Sequence, residues 1–366
     1  MFDYRKYINK LYLELYQIRT IYAMISYINK SGKILPPMRY ILELTYRCNL
    51  QCPFCYLEQK VSKNELNTQE WFDIIRQIPR YGFISLLGGE IFLRNDFFEI
   101  MQAASKRVFG KVNIYSNGTL LNEDKINDLM SNKFLLYSVS LDGYGDRHDE
   151  LREQAGIFEE IISGLELIKT KRGKNKKPLL EVKSVILENN LDELPKIYRL
   201  CDEMELDYLT LAFKRASNLR QCPVLENDIS AECYSKEYPV ESYFDMEHFS
   251  EVYKELMSIA KKSKTVLSWA PKFNGKDNLQ SIKKVFTNGN ADLKTLYEPC
   301  TFPFMDIFIN PEGIVYPCLA INMGSAKEHK LKEIYNCQKF KSFRKKLKEE
   351  KVFKPCNLCC DLYPKK

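Results

Sequence analysis

A chain of 366 residues exceeds the roughly 250–300 residues that a single hydrophobic core fills, so one large unit with a smaller companion is expected. Hydrophobic content of 45% with 28% charged residues is that of an ordinary soluble globular protein, and no run approaches the roughly 18 consecutive apolar residues of a membrane span. The net charge of +7 is modest, and the basic run Lys171-Arg172-Gly173-Lys174-Asn175-Lys176-Lys177 reads as a solvated loop, so nucleic acid is not an expected partner. Nine of the twelve cysteines fall in or near two ligand-like groups or within the C-terminal third, which favours metal ligation in a reducing cytoplasm over an extracellular disulfide framework. At the N-terminus, Tyr4, Ile8, Leu11, Leu15, Ile18, Tyr22 and Ile25 recur at steps of four and three, predicting an amphipathic helix over 4–28. Packing against the main domain is its expected role; Arg5, Lys6, Lys10 and Arg19 leave contact with an anionic membrane surface open. Glu14, Gln17 and Arg19 interrupt the apolar region, unlike a signal peptide. Pro36 and Pro37 close this first unit, 1–37.

From residue 38 to 213, strand-like stretches near 40–46, 83–88, 111–116, 134–141, 179–187 and 206–213 alternate with helical patterns near 68–79, 96–108, 123–131, 157–170 and 191–204. Such alternation predicts an α/β fold with a parallel sheet, and right-handed crossovers would curl it into an open barrel with its site at the strand C-terminal ends. Runs such as Phe83–Leu87 and Leu179–Ile186 are apolar throughout, as when both faces are covered. A further helix is predicted over 246–263, with Asp245 as cap and Phe249, Val252, Leu256 and Ile259 as its stripe, so the barrel unit spans 38–263. The loop 214–245, carrying Lys214, Arg215, Arg220, Cys222 and Cys233, is the natural place for substrate contacts or a lid. Residues 264–299 read as a linker.

The first strand runs directly into Cys48-Asn49-Leu50-Gln51-Cys52-Pro53-Phe54-Cys55. Three thiolates spaced by three and then two residues converge on one centre only from a loop, and they supply three ligands where a closed four-iron cluster needs four. A structural zinc site uses similar short spacings and is the alternative. After the second strand, Gly88-Gly89-Glu90 lets backbone approach a ligand closely and offers a carboxylate for an ammonium group. The third strand ends in the turn signal Ser116-Asn117-Gly118-Thr119, with Asn117 expected to face the site. The fourth ends in Val139-Ser140-Leu141-Asp142-Gly143, followed by His148-Asp149 and by Arg152, whose fork suits a carboxylate. His148 has no second base or metal group beside it and is given no catalytic role.

CxxxCxxC with an aromatic residue before its last Cys, a GGE tripeptide one strand later and the pattern SLDG…HD…R resemble the radical S-adenosylmethionine (SAM) enzymes. The resemblance implies a partial (βα)6 barrel of TIM-like type and a site-differentiated [4Fe–4S] cluster on Cys48, Cys52 and Cys55. Its open iron would be chelated by the amino and carboxylate groups of SAM's methionine part. Reductive cleavage of SAM would then give methionine and a 5′-deoxyadenosyl radical that abstracts a substrate hydrogen atom. By the same resemblance Phe54, Gly88, Gly89, Glu90, Asn117, Ser140, Asp142 and Arg152 surround SAM. The GGE motif would hold its amino group, Ser140 and Asp142 would lie near its ribose and carboxylate, and Arg152 is a candidate for that carboxylate. Ile91 stands where the family usually has Pro.

Towards the C-terminus, Cys300 precedes Phe304–Ile309, a turn at Asn310-Pro311-Glu312-Gly313, and then Ile314–Cys318. This predicts a β-hairpin with a cysteine near each open end. A helical stretch near 338–349 leads to Cys356-Asn357-Leu358-Cys359-Cys360, so four or five thiolates can gather. This arrangement resembles the SPASM and twitch extensions of radical SAM enzymes, which carry auxiliary four-iron clusters. The chain ends soon after its CxxC, as in the shorter twitch type, implying one auxiliary cluster in 300–366 on Cys300, Cys318, Cys356 and Cys359, with Cys360 as the alternative to Cys359. A zinc ribbon uses the same ligand set. Cys201 and Cys337 read as buried helix residues.

The expected function is therefore hydrogen abstraction started from SAM, with flavodoxin or ferredoxin as the reducing partner. The main expectation for its substrate is a small molecule, such as a natural-product or sugar-like intermediate that is oxidised, epimerised or rearranged. The alternative is a maturase acting on a ribosomally made peptide. Fewer than 40 residues precede the first strand, which leaves no room there for a fused leader-binding domain, though a separate protein could supply one. Leu319 stands where sulfatase-maturing relatives tend to have Asp, which weakens that subtype. A reading from another class is an iron–sulfur protein that transfers electrons or binds a partner without cleaving SAM.

Overall fold

The computed structural model describes residues 21–22, 24–27, 29, 31–57, 64–175, 177–214, 245–273, 278–287, 292–318, 321–353 and 356–365. Strands and helices alternate as β1 (Arg39–Glu43), α1 (Thr68–Gln77), β2 (Phe83–Leu87), α2 (Phe97–Arg107), β3 (Val112–Ser116), α3 (Glu123–Met130), β4 (Leu136–Ser140), α4 (Asp146–Arg152), α5 (Ile157–Arg172), β5 (Leu179–Ile186), α6 (Glu193–Glu203) and β6 (Tyr208–Phe213). Each strand pairs in parallel with the next, from β1 to β6, so the partial barrel with crossover helices is present. Side-chain caps fix where several helices begin: Asn67 and Glu70 form a reciprocal capping box on α1, and Asn122 accepts from Lys125 N at α3.

The sheet extends beyond these six strands at both edges. β7 (Val266–Ala270), after α7 (Met246–Ala260), pairs in parallel with β6. β8 (Asp306–Ile309) pairs in parallel with β1 and antiparallel with β9 (Val315–Tyr316), giving nine strands in the order β7-β6-β5-β4-β3-β2-β1-β8-β9. Residues 264–299, expected as a linker, thus carry β7, α8 (Asn278–Thr287) and a helical turn over Leu293–Leu296. Val266-Leu267-Ser268-Trp269-Ala270 is too short to declare itself by periodicity, and its conformation is set by the register with Tyr208–Ala212. The expected hairpin forms β8 and β9. Its turn closes where Asn310 Oδ1 accepts from Ile314 N (2.8 Å), with Gly313 at φ +84°. The C-terminal unit is therefore seated on the barrel's own sheet, and helix α9 (Gln338–Glu350) packs behind it through Phe340, Phe343 and Leu347.

Strand alternation gives the two faces different characters. Tyr40, Leu42 and Leu44, Ile84 and Leu86, Val112 and Ile114, Leu180 and Val182, Leu209 and Leu211 are buried in the main core beneath the helices. Burying each large aliphatic side chain contributes about 2 kcal/mol. On the opposite face two apolar clusters form among the described residues, Leu136, Leu179 and Tyr208 in one and Ile41, Phe302 and Phe308 in the other. Beyond the first cluster, on the same face, runs a polar band in register: Ser138 beside Glu181, then Ser140, Lys183, Thr210 and Ser268 across four strands. Thr210 Oγ1 donates to Glu181 (2.6 Å). An inner wall of this kind differs from the uniformly apolar strands that the sequence suggests.

Of the helix expected over 4–28, residues 1–20 lie outside the described residues; 21–22 and 24–27 are helical. Tyr27 packs edge-on against Phe304 (centroids 5.0 Å apart), beneath Lys348. This end therefore docks on the C-terminal unit, while Ile21, Met24 and Ile25 are 58%, 56% and 55% exposed. Of the loop 214–245, only Lys214 and Asp245 are described. Asp245 caps α7 by accepting from Glu247 N (2.8 Å). Among the described residues no helix is long and apolar enough to cross a membrane.

Candidate active site at the strand ends

The cysteine loop leaves β1 and is laced at once to the end of β2. Leu44 N donates to Leu87 O, Gly89 N to Thr45 O and Glu90 N to Arg47 O, all at 2.8 Å. A Cβ at Gly88 would lie 2.3 Å from Thr45 O, and one at Gly89 2.2 Å from Arg47 O. Both glycines are thus required for backbone to meet backbone, a closer constraint than the ligand approach expected of them. Cys55 N donates to Cys52 O (3.1 Å), folding the loop back so that Cys48, Cys52 and Cys55 all stay half-exposed.

Each of the three sulfurs receives an N–H. Leu50 N (3.5 Å) and Asn117 Nδ2 (3.8 Å) donate to Cys48 Sγ, Arg152 Nη1 (3.7 Å) to Cys52 Sγ and Leu57 N (3.4 Å) to Cys55 Sγ. Asn117 is held by Asn49 Oδ1 (2.9 Å) on the cysteine loop, and Asn49 in turn donates to Thr119 (2.9 Å). Glu90 is buried and draws the ends of β2 and β3 together. Its carboxylate accepts from Phe92 N (3.1 Å), Asn117 N (2.8 Å) and Ser116 Oγ (2.9 and 3.0 Å). Burial pushes its pKa up against the pull of those bonds. Thus Glu90, expected to face an ammonium group, turns its carboxylate into the fold.

Asp142, just past β4, is equally engaged. One oxygen accepts from Arg152 Nε (3.0 Å) and Nη2 (2.5 Å), the other from Val185 N (2.7 Å). Asp142 N donates to His148 Nδ1 (3.1 Å), and Asn190 Nδ2 holds Asp142 O (2.9 Å). Burial, with Arg152 adding to it, lowers the His148 pKa to about 4, so the ring is a neutral acceptor inside the fold. Ser140 stands one step earlier on the polar face, beside Lys183. Asn190 and Lys183 were invisible as site neighbours in the sequence, since nothing local marks an Asn that closes a loop 48 residues away.

The second cysteine group assembles from three segments. Cys300 and Cys318 pack on Ile41, Phe302 and Phe308 at the inner wall, with Leu87 and Tyr316. Burial, with Cys356 next in effect and Cys318 adding to it, pushes the Cys300 thiol well above its ordinary range, which places these sulfurs near one another. Cys359 N donates to Cys356 O (3.0 Å) in a tight turn. Among the described residues the group of three ligand-type side chains drawn within 4.8 Å is Cys359, Cys360 and Asp361. Cys360 lies close enough to Cys359 to take its place as a ligand. Arg39 bridges this group to the barrel, pairing with buried Asp306 (3.1 Å) and with Asp361 (3.2 Å) over the Phe302 ring. Cys201 is buried in α6 as expected, whereas Cys337 is half-buried and caps α9 through its sulfur.

Family models agree with both cysteine groups. The radical SAM superfamily model matches residues 42–201, and the SPASM model, an iron-sulfur cluster-binding domain, matches 300–360. The sporulation killing factor maturation protein SkfB of Bacillus subtilis (strain 168) is 31% identical over 168 residues, 45% of this chain and only 40% of SkfB. Streptococcus suis SuiB, solved with the precursor peptide SuiA, superposes with a TM-score of 0.64 at 16% identity, covering 86% of this chain and 68% of that one. The structure of anSMEcpe with AdoMet and the Cp18Cys peptide gives 0.59 at 19% identity over 89% and 88%. At these identities the solved structures establish the fold. The chain thus carries a radical SAM domain over residues 42–201 and a SPASM-type domain over 300–360, with SAM and iron–sulfur clusters as the cofactors of those domains.

Proposed function

We propose that the chain is a maturase that modifies a ribosomally made precursor peptide by hydrogen-atom abstraction at carbon. The similarity to SkfB, a maturation protein, is the observation that carries this reading. SuiB with its precursor peptide supports it from the side of the fold. It takes the place of the small-molecule substrate expected from the sequence, which no relative named above favours. The polar inner wall, with Ser138, Glu181, Lys183 and Thr210, suits a peptide's amides and polar side chains.

In this proposal Cys48, Cys52 and Cys55 hold the cluster that binds SAM, and a bound SAM supplies the hydrogen-abstracting chemistry. The three-thiolate donor set, each sulfur with an N–H donor, fits an iron–sulfur cluster. The remaining work falls to the chain itself. Gly88 and Gly89 bring the β2 loop against the cysteine loop, Glu90 fixes Asn117, and Ser140 faces the mouth. Phe54 shields one side of the Arg152 guanidinium, its ring 5.7 Å away. Cys300, Cys318, Cys356 and Cys359, or Cys360 in its place, would hold an auxiliary iron–sulfur cluster, which when bound would supply a site for electron acceptance or substrate ligation. Flavodoxin or ferredoxin is the proposed electron donor. Residues 38–270 form the catalytic barrel and 300–366 the cluster domain.

The test is anaerobic turnover of the reconstituted full chain with SAM, dithionite and short peptides encoded beside its gene, followed by mass spectrometry. A peptide mass change that depends on SAM, with 5′-deoxyadenosine formed in step, is the expected result. Turnover of a sugar or aminocyclitol with no change in any peptide would return the small-molecule reading. No 5′-deoxyadenosine despite an intact first cluster would instead make this an electron-transfer protein.

A further inference from the structure

Of the two side chains that donate to the loop sulfurs as described above, Asn117 is neutral and Arg152 carries a charge. We infer that Arg152 is a positioning residue that sets the reduction potential of the first cluster through Cys52. It does so in place of binding SAM's carboxylate, the role its position in the SLDG…HD…R pattern suggests. The inference rests on the reading that Cys48, Cys52 and Cys55 hold a four-iron cluster.

Three observations carry it. First, the guanidinium is already committed: Nε and Nη2 donate to Asp142 Oδ2 and Nη1 points at Cys52 Sγ, 3.7 Å away. The fork that would grip a carboxylate is occupied by one. Second, it cannot easily swing away. Asp142 is fully buried and Arg152 is 8% exposed. Val185 N, His148 Nδ1 and Asn190 Nδ2 fix the Asp142 carboxylate and backbone from three other positions. The Phe54 ring lies 5.7 Å from the guanidinium carbon. Third, the pair is oriented, with its cationic end on the sulfur and its anionic end behind. An ion pair of this kind acts as a local dipole, strong at Cys52 because little water screens it and weak at the distant auxiliary centre.

The sign follows from charge. Reduction adds one electron to the cluster and its thiolates, so a positive end and an N–H donor at Cys52 stabilise the reduced form more than the oxidised form. Hydrogen bonds to cluster sulfurs and local charge are recognised determinants of potential. Removing them should lower the potential and make electron delivery harder, without touching the three ligands.

The test is an EPR-monitored redox titration of the full reconstituted chain without SAM, comparing the parent with Arg152→Gln and Arg152→Lys. The first cluster's signal is assigned by its change when SAM is added. Iron, sulfide and the SAM dissociation constant are measured alongside. At a fixed potential, Arg152→Gln is expected to lower the reduced-to-oxidised ratio roughly tenfold, about 59 mV for one electron. Arg152→Lys should recover part of that shift, the auxiliary signal should hold its potential, and SAM affinity should change little. An unmoved potential with SAM binding weakened tenfold or more overturns the inference and returns Arg152 to the carboxylate. A Lys variant that titrates with the parent's potential while Gln loses its iron also overturns it, because the residue then only holds the loop. With Gln unable to keep iron, a Lys variant shifted to lower potential with full iron supports it. Failure of the underlying reading is separable, since the parent itself would then lack four irons that depend on Cys48.

Discussion

The two cysteine-rich regions are built in opposite ways. The first compresses its three thiolates into eight residues and surrounds them with polar groups: N–H donors on every sulfur, the ring of Asn117, Asn49 and Thr119, and the Asp142–Arg152 pair. The second gathers its cysteines from three separated segments, and Cys300 and Cys318 rest on an apolar wall of Ile41, Phe302 and Phe308. A local loop needs its neighbours only to orient it. A centre assembled over 60 residues depends on every contact that docks its segments, so distant substitutions should injure the second region and spare the first.

The largest test of that contrast is Cys48→Ala. It should abolish 5′-deoxyadenosine formation and lower iron from roughly eight to roughly four per chain, with the auxiliary cluster's signal retained; loss of all iron would show that the two centres do not assemble independently. Next comes Arg39→Met, which removes the guanidinium that pairs with buried Asp306. Breaking a buried pair costs about 3 kcal/mol at this partly exposed arginine. Denaturant midpoints should fall accordingly, and roughly four irons should leave the C-terminal domain. Equal iron loss from both clusters would erase the contrast.

Gly89→Ala works on the first region alone. Its Cβ would sit 2.2 Å from Arg47 O, backbone against backbone, so the cysteine loop must shift at a cost of roughly 2–3 kcal/mol. Slower cluster incorporation at Cys48, Cys52 and Cys55 is expected, with the C-terminal cluster unaffected. The smallest effect is a pH dependence. The His148 pKa is depressed from 6.5 to about 4 in the fold, so its contribution is present above pH 6.5 and lost as pH falls towards 4. Between pH 7 and 5 that amounts to about 2 kcal/mol, readable as a change in urea midpoint that His148→Asn should flatten. A parent midpoint indifferent to pH over that range would mean that His148 takes up its proton as readily in the fold as in the unfolded chain.

Much of this architecture was legible residue by residue. The alternation of apolar runs and amphipathic stripes gave six parallel strands because both periodicities are local. Asp245 announced its helix by capping chemistry, whereas the caps Asn67 and Asn122 were recognised only in the structure. The apolar five-residue run of β7 did not announce itself, nor did the parallel pairing of β8 with β1, because a short strand takes its meaning from the edge it joins. Glu90 and Asp142 were recognised as important, but what each carboxylate holds was not. Ser116 and Asn117 claim Glu90, and Arg152 and Val185 claim Asp142.

What the amino-acid sequence determined by itself was chemistry carried by short spacings: three thiolates in one loop, a glycine pair one strand later, and a hairpin with a cysteine near each end. Those survive any docking, since covalent separation along the chain limits where the groups can go. Tertiary structure alone decided which groups face one another across long separations. Cys52 and Arg152 are 100 residues apart and meet only because the fold sets the end of α4 against the cysteine loop, where Asp142 holds the guanidinium. Arg39 and Asp361 are 322 apart and meet only because β8 pairs with β1. Hydrogen bonds and ion pairs of this kind depend on distances of a few tenths of an ångström, and those are fixed by packing rather than by spacing in the chain.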